Sequence, residues 1–155
     1  MNKFLVTALF TITASHCWAS PESLRSVGLE TSGKDGCYLS NGKNVLGATI
    51  GLMVNAYDHH PRLENQTIVA VIKTAIDAGC SLNEPDASGL SPLNAAILLN
   101  HPTLVDLLLS NGVSPKLKIE SAKKFINGKD SFELYEFLRS RKEMAQIGEV
   151  LARYR

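Results

Sequence analysis

Residues 86–114 read DASGLSPLNAAILLNHPTLVDLLLSNGVS, and the caps and apolar spacing of this stretch decide the expected fold. Ser91 precedes an apolar run, and its hydroxyl can accept from a free N–H of a first helical turn. Pro92 follows at the first helical position, where a missing N–H costs nothing. Leu93, Ala95, Ala96 and Ile97 give a slim apolar face, and Asn100, His101 and Pro102 break the helix. Leu104, Val105, Leu107, Leu108 and Leu109 supply a second helix, which Gly112 can end in the left-handed conformation. Two short helices with small residues between them cannot bury that face alone, so they must stack on similar pairs.

The segment Ser91-Pro92-Leu93-Asn94-Ala95-Ala96, with Leu107-Leu108 and Asn111-Gly112 downstream, resembles an ankyrin repeat. Ser91 replaces the usual Thr and keeps the cap. Asn94 replaces the usual His. Ala78-Gly79 lies 33 residues before Asn111-Gly112, the ankyrin period. Ile68, Val71, Ile72, Ala75 and Ile76 precede that glycine at helical spacing, and Gly79-Cys80-Ser81-Leu82-Asn83 is similar to the turn that opens a following repeat. A partner helix is expected over 44–57, although it lacks the Ser/Thr-Pro-Leu start, and the connection 58–65 is longer than a standard repeat turn.

Downstream, 120–127 and 131–139 are expected to form a third pair around a turn at 127–130, with Phe125, Ile126, Phe132, Leu134, Tyr135, Phe137 and Leu138 in the core. A last helix over 143–154 would serve as a cap with one polar face. Ahead of the pairs, 21–29 is expected as a short helix and 31–41 as a Gly/Ser/Asn-rich loop. The expected fold class is therefore all-α, an ankyrin-repeat solenoid of about three helix pairs with capping helices. The domain reading is a signal peptide at 1–19, an N-terminal cap and loop at 20–43, and a repeat domain with its capping helix at 44–155.

The leader rests on a basic start, an uncharged apolar run from Phe4 to Ala14, and a small residue, Ala19, before the expected cleavage point. The apolar run is too short to span a bilayer, which takes ~20 residues. Cys17 lacks the small preceding residue of a lipobox, because His16 stands there. The mature protein is thus expected in a periplasm, without membrane insertion and monomeric when free. A formal charge of +1 in 155 residues, 45% of them hydrophobic, excludes a disordered acidic chain and a strongly basic nucleic-acid binder. The charge is uneven: residues 20–115 hold five Lys/Arg against nine Asp/Glu, and 116–155 hold ten against six. Such polarity can steer a charged partner, and it equally describes solvated helix faces.

Two cysteines, Cys37 and Cys80, remain beyond the leader. In an oxidising compartment they can pair, closing a loop of about 44 residues worth ~4 kcal/mol on the chain-entropy model; two buried free thiols are the other reading. Asp58-His59-His60 suggests a metal corner, but no further ligand follows at a characteristic spacing, so no metal or cofactor is expected. His101 is expected to make a turn hydrogen bond. Asn65-Gln66-Thr67 is a glycosylation sequon, meaningful only in a eukaryotic host. No hydrolase elbow, zincin or phosphate-loop motif is present, and no enzyme activity is expected. The basic doublet Lys123-Lys124 lacks interleaved exposed aromatics, and nucleic acid is not expected as a partner.

The resemblance instead implies a protein-binding module. Its contact surface would include Leu82, Asn83, Glu84, Asp86, Ser88, Asn94, Leu98, Lys116, Lys118 and Lys123. Small exported ankyrin proteins of the self-protection type imply, as partner, an exported cell-wall hydrolase or toxin that the protein would hold inactive. The alternative is a non-inhibitory adaptor, for example in defence against oxidants.

Overall fold

The computed structural model describes residues 22–33 and 35–155, so the expected leader at 1–19 lies outside the described residues. A short helix α1 (Glu22–Ser26) leads into three strands, β1 (Glu30–Ser32), β2 (Tyr38–Ser40) and β3 (Val45–Ala48). Six further helices follow: α2 (Thr49–Ala56), α3 (Asn65–Asp77), α4 (Pro92–Leu99), α5 (Pro102–Ser110), α6 (Ser131–Arg139) and α7 (Ala145–Ala152).

The strands form an antiparallel sheet in the order β1-β2-β3. Its hairpin turn is built by Asn41, whose side-chain oxygen accepts from Lys43 N at 3.1 Å and Asn44 N at 2.9 Å, while Gly42 takes a φ of +80°. Glycine tolerates that conformation because it has no Cβ, so Asn-Gly is a strong hairpin signal. The register pairs Tyr38 with Ala48 and shifts at Leu39/Ser40, a β-bulge. Leu39 points into the core.

Helix α3 buries Ile68, Val71, Ile72 and Ala75, one stripe at helical spacing. It ends at Gly79 (φ +82°), with Cys80 N donating to Ala75 O at 3.0 Å. Helix α4 begins as its sequence dictates: Ser91 Oγ accepts from Asn94 N at 3.3 Å, Pro92 is in the first turn, and Asn100 turns left-handed at the exit. Helix α5 closes at Gly112 (φ +86°), and α6 opens with a reciprocal capping box between Asp130 and Glu133. The helices pack α2 on α3 and α4 on α5; α4 also touches α2 and α6, while α5 touches α7. One continuous apolar core runs from Leu24 to Leu151.

This architecture overturns the all-α expectation. The chain is mixed α/β, with seven helices and a three-stranded antiparallel sheet among the described residues, and it is not an ankyrin-repeat solenoid. The segment 31–41, expected as a loop, supplies β1 and β2. The expected helix over 44–57 is a strand followed by a helix, because Ala48 stays extended (φ −61°, ψ 131°) before α2 begins. The third expected pair has only its second helix. Residues 120–127 form a loop held by Ile119 N on Lys129 O (2.9 Å), Gly128 N on Ile119 O (2.8 Å) and Ser121 N on Asn127 Oδ1 (2.9 Å). Only one turn closes inside it, and Phe125, expected in the core, is 52% exposed.

Candidate functional site

A disulfide joins Cys37 to Cys80, with Cα atoms 5.2 Å apart, and so fastens the start of β2 to the end of α3. Next along the strand, Tyr38 donates its hydroxyl to the Glu84 carboxylate at 3.1 and 3.2 Å. That hydrogen bond, then the Glu84 charge, hold the Tyr38 phenol above its ordinary pKa. Sheet and following loop are thus tied twice within a few residues.

The loop 84–90 is organised by Asp86. Its Oδ1 accepts from Ser88 N (2.8 Å), Ser88 Oγ (2.7 Å) and Leu90 N (3.1 Å), while Asp86 N donates to Leu90 O at 2.9 Å. Burial alone would raise the Asp86 carboxyl. The bonds from Ser88, Leu90 and Asn55 outweigh it and hold the pKa below the ordinary value. Gly89 takes a φ of +81° with its Cα against the Glu120 carbonyl; a Cβ there would lie 1.8 Å from that oxygen. Only glycine fits, so the loop is pinned at both ends.

Residues 84–88 consequently stand as a braced ridge between two clefts. One, of about 370 Å³, lies between the ridge and Leu46, Gly47, Ala48, Gly51, Leu52 and Asn55. The other, of about 460 Å³, is walled by Asn83, Leu117, Lys118 and Glu120, among others. Pro85, Asp86 and Ala87 belong to both. Apolar side chains flank the ridge: Leu46 is 47% exposed, with Tyr38 and Leu117 also exposed, and Val45, 64% exposed, precedes Leu46 on β3. Among the described residues β3 ends the sheet, and no further strand pairs with its outer backbone groups.

Of the residues expected at a contact surface, Glu84, Asp86 and Ser88 form the ridge, and Asn83 and Lys118 line the second cleft. Asn83 Oδ1 also accepts from Ser114 N at 3.1 Å. Lys118 is drawn to Glu133 (2.7 Å) and Asp130 (3.2 Å), and its pKa is raised by the Glu133 hydrogen bond foremost. Leu82 is half-buried against the core. Leu98, Lys116 and Lys123 line neither cleft. Asn94 is a correction: it is 1% exposed and its Oδ1 accepts from Ser131 Oγ at 2.8 Å, so it joins α4 to α6 instead of facing a partner. Sequence reasoning missed Tyr38, Val45, Leu46 and Leu117. The Asn41-Gly42 turn between apolar runs was the available signal for the first three.

The histidines gather elsewhere. His101, 6% exposed, sets its Nδ1 3.4 Å from Asp58 Oδ2, with its ring edge-on to Tyr57 and His59. Asn65 binds Asp58 in turn, donating to its Oδ1 and accepting from its backbone N–H. The expected turn histidine therefore ties the α2–α3 connection to the α4–α5 turn. Its Nε2 has no hydrogen-bond partner among the described residues, and burial, opposed by the Asp58 charge, lowers its pKa. Among the described residues no three His, Cys, Asp or Glu side chains are placed to hold a metal ion. His60 instead accepts from Arg62 N at 3.3 Å. No helix among the described residues is long and apolar enough to cross a membrane. No protein-family model, curated protein or solved structure matches the chain.

Proposed function

We propose that this protein is an exported protein-binding module that occludes a cell-wall hydrolase or endopeptidase of its own compartment, with the ridge 84–88 as the docking element. The observation that carries this reading is the bracing of the ridge between two clefts. A loop already fixed by Asp86, Gly89 and the Tyr38–Glu84 bond loses little freedom on binding, which is where flexible contacts lose affinity. Its crest offers Pro85 and Ala87, and its flanks offer Leu46 and Leu117, the combination of apolar centre and polar surround that protein interfaces use. The Cys37–Cys80 bridge suits an oxidising compartment. The likeness of 91–112 to an ankyrin hairpin motivates the partner class.

The test is to mix the purified protein with exported peptidoglycan hydrolases and follow both complex formation and wall hydrolysis. Inhibition is expected, and Ala87→Arg and Leu46→Asp, both at exposed or partly exposed positions, should weaken it at least tenfold without unfolding the protein. No complex with any of the enzymes would remove the proposal. A complex that leaves hydrolysis intact would replace it by the non-inhibitory adaptor role.

A further inference from the structure

We propose that the loop 121–128 and the adjoining face of α6 form a docking site for an anionic phospholipid surface. Phe125 sits in the loop with 52% of its surface in water. Its ring leans on Phe137 at 6.0 Å between centroids, tilted by 31°. Over the Phe137 ring lie the Arg141 guanidinium at 4.3 Å and Lys129 Nζ at 5.5 Å. Lys123 and Lys124 precede Phe125 in the turn that Ile126 N and Asn127 N close on Lys123 O, both at 3.1 Å. Exposed Phe125, backed by the partly buried Phe137, thereby shares this face with four cations.

The nearby carboxylates make their close ion pairs elsewhere, although the Glu133 charge also feels Lys129. Asp130 and Glu133 hold Lys118, and Glu136 holds Arg139 and Arg155. Among the described residues Lys123, Lys124, Lys129 and Arg141 make no ion pair with a carboxylate. Cations that stay unpaired while an apolar ring is left in water match a lipid headgroup layer, where phosphates meet the charges and the ring enters the acyl boundary. Docking of this kind lies on the membrane and does not cross it.

The assay is co-sedimentation of the protein with phosphatidylcholine vesicles, with and without phosphatidylglycerol, at low and at higher salt. Binding is expected only to vesicles containing phosphatidylglycerol, falling as salt rises. Each cation near such a surface is worth about a fivefold gain in partition, so Lys123→Gln with Lys124→Gln should weaken binding about 25-fold. Phe125→Ser, which keeps every charge, should weaken it severalfold. These side chains are exposed, so an unchanged melting temperature will show the variants folded. Absence of binding to the anionic vesicles, equal binding to neutral ones, an unaltered partition for Phe125→Ser, or equally tight capture by soluble polyglutamate would each overturn the proposal.

Discussion

Replacing Gly89 by alanine places a methyl group where the backbone of Glu120 already stands. The new Cβ would lie 1.8 Å from the Glu120 carbonyl oxygen, 2.6 Å from its carbon and 3.2 Å from Ser121 N. None of these atoms can rotate away as a side chain would. Two costs combine. A non-glycine residue in the left-handed region costs about 1–2 kcal/mol, and forcing packed groups apart typically costs about 1–3 kcal/mol. A total of about 2–5 kcal/mol is expected. Gly112→Ala is the matched control, because Gly112 has a similar φ of +86° but nothing within 4 Å of its Cβ position. It should lose only the first contribution, about 1–2 kcal/mol. Any gain from a stiffer unfolded chain is shared and cancels in the comparison. Urea denaturation of both variants reads the difference directly, and Gly89→Ala should be the weaker by about 1–3 kcal/mol. Equal stabilities would refute the close approach of 89 to 120, and with it the fixed foot of the ridge.

Reducing the disulfide, or replacing Cys37 and Cys80 together by serine, should cost about 2–5 kcal/mol, seen as a lower denaturation midpoint that reductant no longer shifts in the double variant. His101 has a folded pKa below the ordinary 6.5, so its contribution to stability is complete above that pH and is lost as pH falls through the lowered value. His101→Gln should flatten the loss of stability on mild acidification, measured by melting temperature against pH, and an unchanged profile would exclude His101 as its source. Asp86, with a lowered carboxyl pKa, contributes stability present above about pH 4 and lost as pH falls further. Asp86→Ala should cost about 1–3 kcal/mol by leaving the N–H groups of Ser88 and Leu90 without their acceptor. Asn94→Ala should destabilise by a similar ~1–3 kcal/mol because Ser131 loses its buried partner, with no change in the affinity of the folded protein for an inhibited enzyme.

What the sequence made legible was local. Ser91, Pro92, Asn100 and Gly112 carry their instructions within a few residues, and the helices they bound are where those instructions place them. Helix α6 is equally plain, since Asp130 and Glu133 make a reciprocal cap over three residues. The N-terminal third misled because Val45-Leu46-Gly47-Ala48 runs without interruption into the apolar face of α2, so that a strand and a helix look like one helix. Residues 120–127 misled because Ile126 alone in that span is fully buried, and a polar bond from Ser121 N to Asn127 Oδ1 takes the place of a helical ladder. The partners that define the candidate site are distant in the chain. Glu84 meets Tyr38 across 46 residues, Asn94 meets Ser131 across 37, and His101 meets Asp58 through a fold that spacing alone does not reveal.

The flank of β3 that no described strand pairs with has a bearing on how the protein behaves when crowded. An open ladder invites a neighbouring chain to zip onto it, and long flat edges of this sort seed fibres. Here the invitation is cut short: the strand runs only from Val45 to Ala48, with Lys43 and its tight turn at one end and the coil of α2 at the other. A visitor can gain a few backbone bonds and no more, so the protein can keep its flank available without becoming a template for its own precipitation.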